Sequence, residues 1–114
     1  MNRILKFHVD EIVLDPEEAS KTLNAACKHA RKMKLTGCCQ ADSTIIVSFE
    51  ETAAPTRFQH LFAPFADSSE NGVIDEINSR YTYGFTAVAS FRAGESVWGL
   101  FSFDPAATSV HSGD

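Results

Sequence analysis

His8 and Asp10 stand two residues apart in a stretch where Leu5, Phe7, Val9 and Val13 alternate with Lys6, His8 and Asp10. On a strand, that spacing turns both side chains to one face, with Lys6 beside them. Asp10 could then orient His8 as a general base, or the pair could ligate a metal. No third ligand stands at a recognisable spacing, so the plainer reading is the hydrated face of a half-buried strand, and neither a metal nor another cofactor is expected. His60 is the remaining acid/base candidate. Glu50-Glu51 and Asp75-Glu76 are sequence neighbours, and adjacent side chains do not converge on a strand or a helix. The glycine-rich nucleotide-binding motifs, the nucleophile-elbow motif, C-x-x-C and H-E-x-x-H are all absent.

Three cysteines, Cys27, Cys38 and Cys39, are too few and too closely placed to suggest a disulfide framework. Cys27 falls on the apolar stripe of a helix, where it acts as a small hydrophobe. Cys38 and Cys39 follow the expected end of that helix, whose dipole disfavours a thiolate. Reduced thiols and the absence of a signal-like N-terminus or an apolar span long enough for a bilayer lead to an expectation of a cytoplasmic protein with no membrane association.

The elements that must position these residues begin with a strand over Ile4–Val13. Asp15-Pro16-Glu17-Glu18 then supplies a cap acceptor, a first-turn proline and carboxylates at the positive end of a helix dipole. Ala19, Leu23, Ala26, Cys27 and Ala30 recur at helical spacing, and Gly37 reads as the stop. Thr44–Phe49 is β-branched and aromatic, a second strand. Over 56–67, the helix-like spacing of Phe58, Leu61, Phe62 and Phe65 conflicts with Pro64, leaving helix, strand and apolar flap open. Ser68 or Ser69 caps a further helix to about Arg80, with Val73, Ile74, Ile77 and Tyr81 as its buried face. Tyr83–Arg92 and Ser96–Asp104 form a hairpin across Ala93-Gly94-Glu95. No internal repeat is apparent, and residues 105–114 read as a flexible tail after a single domain over 1–104.

This order, β-α-β-(α)-α-β-β, gives an α+β fold: a helix-backed antiparallel sheet that resembles a ferredoxin-like or related two-layer sandwich in element order only. The hairpin is the anomaly. Phe85, Ala87, Ala89 and Phe91 share one face of its first strand, yet Trp98 and Leu100 are apolar in the opposite direction to Val97, Phe101 and Phe103. A sheet covered on one side alternates apolar and polar residues, so something covers this second face: the segment with Phe58, Phe62 and Phe65, a second copy, or a ligand.

A net charge of −5 excludes general nucleic-acid affinity, although Lys21, Lys28, Arg31, Lys32 and Lys34 cluster in one segment. The sequence therefore leads to a noncatalytic binding or self-association module using the hairpin face. Its candidate binding residues are Trp98, Leu100, Tyr83, His8, Asp10 and Phe62. Its expected partners are a second copy, a protein or a small apolar ligand. The competing readings are a small enzyme of the dimeric α+β barrel type acting on an apolar molecule, with His8 or His60 assisted by Asp10, and an acidic inhibitor or immunity-type protein facing a basic partner.

Overall fold

The computed structural model describes residues 2–29, 33–52 and 58–103. The side chain of Cys27 and the tail over 105–114 lie outside that description. The chain is α+β; the described residues form three helices and two antiparallel three-stranded sheets where a single sheet was expected. Its residues group into two compact units, Met1–Thr56 and Arg57–Asp114.

The first unit runs β1 (Asn2–His8), α1 (Val9–Leu14), α2 (Pro16–His29), β2 (Met33–Ala41) and β3 (Thr44–Glu51), with sheet order β1-β3-β2. The first strand stops at His8 because a cap closes there. His8 accepts from the Asp10 N–H through Nδ1 at 3.1 Å, and Glu11 Oε1 accepts from the His8 N–H at 3.2 Å, a reciprocal capping box. Val9, Ile12 and Val13 therefore ride on a helix, with Val9 and Ile12 buried and Val13 outward. Asp15 caps α2 as its sequence implies, its Oδ1 accepting from the Glu18 N–H at 3.1 Å. Helix α2 ends at His29, well before Gly37, and Cys38 and Cys39 lie on β2. Ala19, Leu23 and Ala26 of α2 are buried, as are Phe7, Ile45, Val47 and Phe49 of the sheet.

The second unit runs β4 (Gln59–Pro64), α3 (Glu70–Thr82), β5 (Phe85–Ala93) and β6 (Ser96–Phe103), with order β4-β6-β5. The ambiguous segment is thus a strand, and Pro64 is tolerated because β4 is an edge strand and Pro64 is its last residue. Ser69 caps α3, its Oγ accepting from the Gly72 N–H at 3.2 Å. Val73 and Ile77 pack on a core of Ala63, Phe65 and Phe101, together with Leu61, Phe85, Ala87 and Val97. Ile74 and Tyr81, expected on that buried face, point to solvent. Gly99 is needed at this core, since a Cβ there would come within 2.7 Å of the Phe101 ring.

Each unit is built as β-α-β-β with the last strand central, and the hairpins agree residue for residue. Adding 52 to β2 and β3 gives β5 and β6, and the bulge at Thr36 becomes the bulge at Val88. Asp42 (φ 55°) likewise becomes Gly94 (φ 64°), the left-handed residue opening each two-residue turn. In the first strands, Leu5 opposite Val47 corresponds to Ala63 opposite Gly99. Helix caps Asp15 and Ser69 correspond, as do Ala19 with Val73 and Leu23 with Ile77. Only two residues of nineteen are identical across the hairpins, Ala41/Ala93 and Phe49/Phe101, which is why the repetition is invisible in the sequence.

Candidate functional site

Two regions hold the residues singled out by the sequence. The first is the corner made by α1 and the start of α2; among the described residues, α1 has no counterpart in the second unit. Val9 N–H donates to the Ser43 carbonyl at 2.8 Å, tying α1 to the β2–β3 turn. With Val9 and Ile12 facing inward, α1 turns Val13 (45% exposed) and Leu14 (87% exposed) outward. His8 and Asp10 do meet, at 3.6 Å between Nδ1 and Oδ2, but as the cap and first turn of a helix rather than along a strand. His8 Nδ1 is already engaged by the cap, so the pair is arranged to start a helix.

Beside this corner, Lys6, Phe7, Glu11, Asp15, Glu18, Ala19 and Thr22 line an open groove of about 190 Å³. Phe7 and Ala19 supply apolar walls, and three carboxylates and one ammonium supply the charge. Among the described residues, no set of three or more His, Cys, Asp or Glu side chains is arranged to hold a metal ion.

The second region is the sheet face of the second unit turned away from α3. The structure brings together three of the expected binding residues there: Phe62, Leu100 and Trp98, with Phe91 packed edge-on to Phe62 at 6.0 Å and stacked on Trp98 at 6.3 Å. Phe91 and Ala89 reach this face because the bulge at Val88 flips the alternation, so Phe85 and Ala87 face α3 while Ala89 and Phe91 face away. The sequence offered no signal for the bulge. Trp98 is 7% exposed and Leu100 is buried. Tyr83 lies apart from this cluster, at the C-cap of α3 and 71% exposed, with Tyr81 at 70%.

His60 and Ser102 form a cross-strand pair on the same buried face, Nδ1 to Oγ 2.6 Å. Burial pushes the imidazole pKa down from 6.5 to about 4, since a charged ring loses its hydration there. Both residues are buried, which suits a neutral polar tie between strands. Cys38 is pushed up to about 11, first by burial and then by the neighbouring Cys39, so the helix dipole invoked from the sequence is not the cause. Both thiols are free.

Among the described residues, no helix is long and apolar enough to cross a membrane. No protein-family model, curated protein or solved structure matches the chain.

Proposed function

We propose that the chain is a noncatalytic binding module that docks a protein through the α1 corner of its first unit. Leu14 carries the proposal. It is the most exposed of the large apolar residues described, and it sits with Val13 on a helix that the second unit shows a β-α-β-β unit can do without. Single exposed apolar residues are commonplace. An inserted helix that spends two of its six residues on solvent-facing aliphatics, next to a groove, is better suited to an interface centre. The corner includes His8 and Asp10, while Trp98, Leu100 and Phe62 are buried and present little surface to a protein or apolar small ligand. A photo-crosslinking residue placed at position 14 should give one discrete adduct in cells, weakened by Val13→Ser, and none when placed at Thr82. Equal labelling from both positions would count against the docking surface.

A second reading keeps self-association, now through Tyr81 and Tyr83. Exposed tyrosines are over-represented at interfaces. Sedimentation equilibrium should then show a dimer that Tyr81→Ser with Tyr83→Ser disperses. A monomer across the micromolar range would end this reading.

A further inference from the structure

We infer that the protein taken by the α1 corner presents a basic surface around an apolar recess, an inference that rests on the docking reading above. Residues 9–22 hold Asp10, Glu11, Asp15, Glu17 and Glu18 against Lys21 alone, four of the five net negative charges in the chain. The other hundred residues are close to neutral. Residues 67–76 hold a comparable acidic run, but here all five carboxylates are exposed beside the outward Val13 and Leu14.

Helix chemistry accounts for part of the set. Asp15 caps α2 and Glu11 closes the capping box of α1, and first-turn carboxylates suit a helix dipole. It does not account for Leu14 and Val13, which leave the interior on the same short helix. Nor does it account for the groove, whose walls pair Phe7 and Ala19 with Glu11, Asp15 and Glu18, three carboxylates against the single ammonium of Lys6. Apolar walls with carboxylates above them fit an arginine or lysine side chain, which lays its aliphatic stem on apolar surface and keeps its charge outward. At about 190 Å³, the groove is below the ~300 Å³ at which small-molecule sites begin. Without a metal-holding cluster among the described residues, a basic side chain is favoured over a divalent ion. The interface that results has an aliphatic anchor at Val13 and Leu14 and a charged surround, the arrangement in which complementary charge speeds encounter and rejects wrong partners.

The test uses the full chain, labelled for amide NMR, and two synthetic helical peptides: one of lysine and leucine, and one with glutamate replacing each lysine. The lysine peptide should shift the amides of residues 9–22. Its Kd should rise about tenfold between low and moderate salt. It should also rise about tenfold in Leu14→Ser and about fivefold in the double variant Asp10→Asn, Glu17→Gln. Both variants change exposed side chains, and retained amide dispersion verifies the fold. Equal or stronger shifts of residues 9–22 by the glutamate peptide would overturn the basic partner and leave the docking surface standing. Concentration-dependent shifts there without peptide, removed by Leu14→Ser, would do the same in favour of a second copy. No shift at 9–22 with either peptide would overturn both.

Discussion

The two units share strand order, hairpin register and bulge position, and they part company on the sheet face turned away from the helix. In the second unit, that face carries Phe62, Phe91, Trp98, Leu100 and Ser102, all buried. The register places Ile4, Cys39, Ile46, Ser48 and Glu50 at the matching positions of the first. Ile4 is 59% exposed, Cys39 and Glu50 are exposed and the others half-buried. The helix-side face is more alike in the two units, with Phe49 and Phe101 both buried at the same register position and Phe7 and Phe65 both buried. One apolar face and a bulged hairpin are thus enough to specify a β-α-β-β unit, which leaves its other face free to be apolar or polar.

The largest effects should test the shared face. Phe49→Ala and Phe101→Ala should each cost about 3–5 kcal/mol by cavity formation, read by hydrogen exchange in the unit concerned. A small loss for either would break the equivalence of the two units. The contrast between the second faces is tested by Leu100→Ala, expected to cost about 2–5 kcal/mol, against Ser48→Ala, expected within about 0.5 kcal/mol. Similar losses for both would mean that the two faces are not differently covered.

Acid should single out the second unit. His60 is held neutral in the fold with its pKa lowered from 6.5 to about 4, whereas the unfolded chain takes up a proton below about 6.5. The stability it contributes is therefore complete above pH 6.5 and is lost as pH falls toward 4, on the order of 3 kcal/mol in all. Urea unfolding followed by Trp98 fluorescence should show this slope, and His60→Gln should flatten it. An unchanged slope in the variant would place the acid response elsewhere.

The smallest effects concern the turns. Gly94→Ala meets no atom within 4 Å, so it should cost only the left-handed backbone penalty, about 1 kcal/mol. Asp42→Gly should stabilise the first hairpin by less than that, because Asp already tolerates this region. Opposite signs at the two turns, measured by urea titration, would sharpen the correspondence.

Local chemistry made some elements legible. Asp15-Pro16 marked the start of α2, Ser69 that of α3, and the apolar runs of β3, β5 and β6 were strong enough to survive their context. Elsewhere two periods fitted one string. Val9, Ile12 and Val13 suit a strand or a short helix, and only the His8–Glu11 cap decides between them. Phe58, Leu61, Phe62 and Phe65 have helical spacing but belong to an edge strand and its exit. Strand β2 was hidden because the bulge at Thr36 breaks its alternation and a lysine-rich lead-in imitates a helix end. Of the candidate site, His8 and Asp10 were legible and Leu14 was not, since nothing short of the helix register shows which aliphatic faces out.

Matched hairpins in one chain create a hazard during folding, because β3 and β6 offer interchangeable registers to β2 and β5. The unlike second faces limit that exchange. Pairing β5 with β3 would set Ser48 and Glu50 where Leu100 and Ser102 belong, burying a carboxylate without a partner. Pairing β2 with β6 would leave Trp98 and Leu100 on the wetter side. Each central strand therefore carries a chemical address for its own neighbour, and sorting the halves correctly needs no help from the turns.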